Sequence, residues 1–182
     1  KIASLLYTLA QYLKQGTGSV IDADAARMWL ERAANQNHPE ASFTLAYQFE
    51  HGMDIKRDFA KALEWYQKSA AADYPPAQYN LGLFYLEGQK IRKDNELAFY
   101  WFRRAAEHGL SEAQHNLGLL YAGGVGVAVD PVLAYAWLNV ASQNGLQQSQ
   151  KDLKQITRSL SPAETKQAKE LSDMMIKRYQ LK

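Results

Sequence analysis

Between Ala77 and Glu87 the apolar residues Ala77, Leu81 and Tyr85 recur at i, i+4 and i+8, the spacing of one helix face, and this predicts a helix A over 77–87. Gly82, beside Leu81, marks a place where a second backbone must come close. Gly88 supplies the left-handed residue that ends a helix, and a short loop runs to Asp94. The Asp94 carboxylate can accept the orphan amides of a second helix B and meets the positive end of its dipole. Along helix B, Leu97, Ala98, Trp101 and Ala105 make an apolar stripe in which small residues flank one large indole. Ala105 and Ala106, like Ala33 and Ala34, permit close helix approach.

The same pattern returns every 36 residues without insertion. Trp29, Trp65, Trp101 and Trp137, the four tryptophans of the chain, occupy one column. Asp22, Asp58, Asp94 and Asp130 form another, followed by Ala26, Ala62, Ala98 and Ala134; by Gly16, Gly52, Gly88 and Gly124; and by Leu9, Leu45, Leu81 and Leu117. Helix B stops at Asn37, Asp73, Gly109 and Gly145, all residue types that tolerate the left-handed region. One unit cannot bury both of its apolar stripes, so copies must stack. The expected fold is all-α: a right-handed α-α superhelix, or solenoid, of four 36-residue helix-loop-helix repeats at about 1–38, 39–74, 75–110 and 111–146, with 147–182 as a capping helix pair. In that last stretch Ser149 and Leu153 keep the phase, Thr157 replaces the tyrosine, and Ser161-Pro162-Ala163-Glu164 reads as a capping box. The helix that follows carries Ala168, Leu171, Met175 and Tyr179 on one side and lysines on the other.

Composition narrows the function classes. Hydrophobic residues make up 47% of the 182, with 12% aromatics and 5 prolines, which excludes a disordered or linker-like chain. Residues 1–146 carry 13 Lys and Arg against 15 Asp and Glu, and residues 147–182 carry 8 against 4; a slightly acidic body argues against nucleic-acid binding. There is no cysteine, so disulfides and thiolate metal sites are excluded, and no apolar run approaches the roughly 20 residues of a membrane span. Because the chain opens at Lys1 directly in a helical pattern, a processed or truncated product is expected. A periplasmic or secreted setting after signal removal is favoured over a cytoplasmic one.

The pattern Ala77-x3-Leu81-Gly82-x2-Tyr85-x2-Gly88-x5-Asp94-x3-Ala98-x2-Trp101-x3-Ala105-Ala106 closely resembles the Sel-one-like repeat (SLR) family, relatives of the tetratricopeptide repeats. The resemblance covers about residues 3–146 and is best over 111–145. The first copy departs most, with Leu5 and Ala10 where the family prefers Ala and Gly. It implies a protein-binding adaptor or scaffold, in bacteria often within envelope, secretion, signalling or host-interaction systems and in eukaryotes within endoplasmic-reticulum quality control, without shared catalytic residues; a bacterial source is expected. The alternative from another class is a structural envelope or assembly component whose ends associate with further copies; an enzyme or nucleic-acid binder is a remote third.

In tetratricopeptide-like stacks the A helices line a concave face. The positions opposite the core stripe are Tyr7, Phe43, Tyr79 and His115; then Gln11, Tyr47, Leu83 and Leu119; then Lys14, Glu50, Leu86 and Ala122. Tyr7, Phe43, Tyr47, Tyr79, Leu83, Leu86, His115 and Leu119 are therefore the candidate partner-binding residues, with Tyr79 and Leu83 foremost. The competing reading is that they pack helix A against its neighbours. Gly123-Gly124-Val125-Gly126 follows a helix and lacks the Lys-Ser/Thr of a phosphate loop, so it reads as a turn. The four histidines show no i, i+4 pair, and no Ser-His-Asp or paired-carboxylate set has a reason to converge, so neither cofactor, metal nor catalysis is expected. The pairs Lys56-Arg57 and Arg92-Lys93 sit at equivalent loop positions and could form a basic ridge for acidic partners, but read rather as solvated loop charge. The expected partner is a protein or peptide, with no nucleic acid and no membrane insertion, and the chain itself is expected as a monomer or a weak self-associator.

Overall fold

The computed structural model describes residues 1–15 and 22–179. Ten helices and no strand lie among the described residues. In chain order they are α1 (Ile2–Gln15), α2 (Ala23–Asn35), α3 (Pro39–His51), α4 (Phe59–Ala71), α5 (Pro75–Glu87), α6 (Asn95–Glu107), α7 (Ser111–Gly123), α8 (Pro131–Gln143), α9 (Gln147–Ser159) and α10 (Pro162–Tyr179). The fold is all-α and of the helical-repeat solenoid class: α1, α3, α5 and α7 are the A helices, and α2, α4, α6 and α8 the B helices.

The aspartate column sets the register of every repeat. The Oδ1 atoms of Asp22, Asp58, Asp94 and Asp130 accept the N–H of Ala25, Lys61, Leu97 and Leu133 at 2.8, 3.1, 2.9 and 2.9 Å, satisfying one orphan donor at the start of each B helix. The backbone N–H of each same aspartate donates back to the end of its A helix, to the carbonyls of Leu13, Phe49, Tyr85 and Tyr121 at 3.3, 2.9, 2.9 and 3.0 Å. One residue thus starts helix B and ties the loop to helix A. Left-handed backbone closes both helices: Gly52, Gly88 and Gly124 at φ 69, 69 and 65° after the A helices, and Asn37, Asp73, Gly109 and Gly145 at φ 59, 58, 90 and 93° after the B helices. Gly16, of the first column, lies outside the described residues.

Two compact units, Lys1–Gln78 and Tyr79–Lys182, each have their own core. In the first, Ala10, Leu30, Ala33, Ala34, Ala41 and Leu45 are buried together. In the second, Phe102, Ala105, Ala106, Ala113, Leu117 and Val140 are. The indoles, expected to be the large residues of this core, are displaced from its centre. The buried column is the next residue along: Tyr66, Phe102 and Leu138 have 0% exposure and Leu30 3%. Ala98, Phe102, Ala105 and Ala106 define the buried face, and one residue of helix rotates about 100°, which puts Trp101 on its edge and leaves Leu97 39% exposed. At that edge, cations stack on the rings: the Arg32 guanidinium 4.7 Å from Trp29 and the Lys68 ammonium 3.9 Å from Trp65. Trp137 alone of the four is buried, because α10 lays Tyr179 against it with ring centroids 5.2 Å apart. At Gly82 the nearest atoms to a built Cβ are those of the Phe102 ring.

The last two helices close the second unit. Ser161 and Glu164 form the expected capping box: the Ser161 N–H donates to Glu164 Oε2 at 2.8 Å and the Glu164 N–H to Ser161 Oγ at 3.3 Å. The Ser161 hydroxyl also donates to Glu164 Oε2 at 2.6 Å, and this bond, with that of the Ser161 N–H, holds the Glu164 carboxyl below its usual range. Helix α10 buries Ala168, Ser172 and Met175, and it packs on α8, where the Asn139 amide donates to Ser172 Oγ. Its end is held by the Tyr179 carbonyl, which accepts from Asn144 Nδ2 at 3.2 Å and Gln114 Nε2 at 3.4 Å.

In the first unit, α1 departs from the other A helices. Leu5 is 70% and Leu9 39% exposed, whereas Ala41 and Leu45, 36 residues on, are 0% and 1% exposed beneath α2. Ile2 and Tyr12 are exposed beside them, giving an apolar stripe at i, i+3, i+7 and i+10.

Candidate functional site

The eight candidate positions on the A helices fall into two environments. In the first unit, Tyr7 is half-buried with its ring stacked on His38 at 4.9 Å, and His38 is itself engaged, since its Nδ1 accepts the Ala41 N–H at 3.3 Å. Phe43 packs edge-on against Tyr66 and Tyr74, at 5.6 and 5.3 Å between centroids. Tyr47 is open, 42% exposed, with His51 stacked on it at 4.0 Å. Glu50, one turn on, is buried and accepts the Tyr66 hydroxyl at 2.8 Å, so it serves the core.

In the second unit, Tyr79 lies edge-on to Phe102 at 5.6 Å and is hydrogen-bonded to Asn116; burial pushes its phenol pKa up. Leu83 and Leu86 are half-buried against the core. The His115 Nδ1 lies 3.0 Å from Ser149 Oγ, and its Nε2 3.7 Å from Asp152 Oδ2. Burial lowers the imidazole pKa, and the Asp152 charge opposes that shift. Leu119 is open, 40% exposed. The row Tyr7, Phe43, Tyr79 and His115 is thus engaged by neighbouring side chains, while Tyr47 and Leu119, both of the second row, face solvent.

Ser149, His115 and Asp152 are the three residue types of a serine hydrolase, yet Ser149 has 0% exposed surface, and a nucleophile must face its substrate. Here the hydroxyl joins α7 to α9. Sequence reasoning missed this contact because two of its members come from the cap pair; the signal was the phase of Ser149, which aligns with buried Ala113 one repeat earlier. A second missed feature is a buried amide: Gln78 and Gln114, 36 residues apart, donate through Nε2 to the carbonyls of Ala70 and Ala106, each at 3.2 Å. Among the described residues, no group of three or more His, Cys, Asp or Glu side chains is placed to hold a metal ion, and no helix is long and apolar enough to cross a membrane. Lys56, Arg57, Arg92 and Lys93 are exposed on their loops.

Comparison with known proteins agrees with this repeat geometry. The Sel1 repeat matches residues 3–38, 39–74, 75–110 and 111–146. A Sel1 repeat protein from Oxalobacter formigenes superposes with a TM-score of 0.81 at 34% identity, over 85% of this chain and 44% of its own. A protective antigen present in uropathogenic Escherichia coli strains, displaying an SLR fold, superposes with a TM-score of 0.66 at 27% identity, over 98% of this chain and 46% of its own. The chain therefore spans less than half the length of these two solved proteins. No curated protein sequence matches it. With 36-residue helix pairs matched four times in tandem, the chain belongs to the Sel1 repeat family.

Proposed function

We propose that this chain is a non-enzymatic scaffold that holds a peptide or protein partner on the outward face of its A helices. Sel1 repeat proteins are generally protein-interaction scaffolds. The observation that carries the reading here is the second row of A-helix positions, in which Tyr47 and Leu119 present large apolar side chains to solvent on helices whose other large residues are packed. Such residues are the usual anchors of protein interfaces. Tyr79 and Leu83 are half-buried on α5, Leu83 being the repeat equivalent of Leu119, and serve as secondary contacts. Both solved neighbours are bacterial, which supports a bacterial origin, and a periplasmic or secreted setting is part of the proposal.

A photo-crosslinking amino acid placed at Tyr47 or Leu119, and at the loop residue Lys56 as control, tests the reading in cells of the source organism. A discrete adduct with another protein at the helix positions, absent at Lys56, is expected. Adducts of equal yield at all three positions, or none, would overturn it.

A second reading, self-association, draws on the exposed stripe Ile2, Leu5, Leu9 and Tyr12 of α1, whose spacing is that of a helix-pairing seam. It predicts a particle of twice 20.6 kDa by light scattering that Leu5→Glu returns to a monomer. A wild-type monomer at all concentrations removes it.

A further inference from the structure

The second unit contains a cleft of about 380 Å³ where α10 meets α6, α7 and α8, lined by residues other than the A-helix positions above. Trp137, Tyr121, Leu171 and Met174 line it together with Arg103 and Arg178. Its volume falls in the range of small-ligand and peptide-anchor sites, roughly 300–1,000 Å³. Its interior is aromatic, aliphatic and thioether. Met174 is 63% exposed at the mouth, where a flexible, polarisable side chain can mould itself to an incoming group.

Charge selects the occupant. Glu107 is the carboxylate among the lining residues, and Arg103 Nε is already paired with it at 3.2 Å. The Arg178 guanidinium lies over the Tyr179 ring at 5.2 Å, and its planar fork of N–H donors suits an oxyanion. Two guanidiniums and one carboxylate thus line an otherwise largely apolar cleft, and one of the guanidiniums is already paired with the carboxylate. We propose that this cleft binds an acidic peptide segment, with one large apolar side chain seated against Trp137 and an adjacent carboxylate on Arg178.

The methionines make the test direct, because the chain has four: Met28 and Met53 in the first unit, and Met174 and Met175 at the cleft. With ¹³C-methyl methionine, titration with acetyl-Asp-Glu-Phe-Asp-amide is expected to shift the Met174 and Met175 signals and leave Met28 and Met53 in place. Acetyl-Asp-Glu-Ala-Asp-amide and acetyl-Lys-Lys-Phe-Lys-amide, lacking the anchor or the charge, should bind at least about tenfold more weakly. Arg178→Glu should have a similar effect, with Arg178→Gln as a milder variant and circular dichroism confirming the fold of both. No cleft-specific shift up to roughly 1 mM peptide, equal affinity for the lysine peptide, or unchanged affinity in both folded Arg178 variants would overturn the proposal. Because the signals report on α10, failure of the crosslinks at Tyr47 and Leu119 leaves this outcome independent.

Discussion

A Cβ built on Gly82 would lie 2.9 Å from Cδ1 and Cε1 of Phe102, so the ring of α6 rests directly on the backbone of α5. Gly118 stands in the same relation to Leu138, with Cγ at 2.8 Å. Two effects oppose each other in Gly82→Ala. Alanine gains up to about 1 kcal/mol of helix propensity, but overpacking a buried ring costs about 1–3 kcal/mol. Phe102 has no exposed surface into which to retreat, so the steric term wins and the variant should be less stable in urea denaturation. Equal or greater stability would show that the ring moves freely.

The displacement of the core by one residue on the B helices predicts an order of costs. Phe102→Ala removes a fully buried ring and should cost about 3–5 kcal/mol. Trp101→Ala, its half-buried neighbour, should cost about 1–2 kcal/mol, despite the larger side chain. Trp137→Ala, in the same column but covered by Tyr179, should return to about 3–5 kcal/mol. Chemical denaturation of the three variants checks this, and a cost for Trp101 at or above that for Phe102 would refute the placement.

Asp94→Ala removes an acceptor for the Leu97 N–H and should lower stability by about 1 kcal/mol. Asparagine caps about as well as aspartate, so Asp94→Asn should be nearly neutral. A large loss in Asp94→Asn, measured the same way, would mean that charge and not hydrogen bonding matters at this position.

The His115 pKa is lowered in the folded chain, chiefly by burial. The folded state therefore binds its proton less readily than the unfolded state. The contribution of the neutral ring is complete above the unfolded value of about 6.5 and is lost as pH falls through the depressed folded value. Melting temperature should accordingly drop on acidification below about pH 6.5, and His115→Asn should flatten that part of the profile. An identical pH slope in the variant would assign the acid sensitivity to other groups.

Much of this architecture was legible in the chain because it is decided locally. The Asp130 cap, the left-handed Asn37 and Gly109 and the Ser161–Glu164 box each depend on residues within a turn or two, so letter and spacing suffice. The step of 36 residues follows from repeating those signals. The centre of the B-helix face did not follow, because the repeated letter is tryptophan while the buried column changes identity: Leu30, Tyr66, Phe102, Leu138. Among the A-helix positions, the sequence marked a face but could not separate Tyr79, which Phe102 covers, from Leu119, which nothing covers so fully.

What the sequence determined by itself is a succession of capped helices with one greasy side each, since backbone geometry and short-range hydrogen bonds answer to near neighbours in the chain. What only the tertiary structure decided is where the final helix lies: docking α10 on α8 brings together residues 33 and 35 positions apart, in Asn139–Ser172 and Asn144–Tyr179. That docking buries Trp137 and opens the cleft beside it. Such pairings depend on the fit of whole surfaces, and no periodicity along the chain encodes which surface a terminal helix will choose.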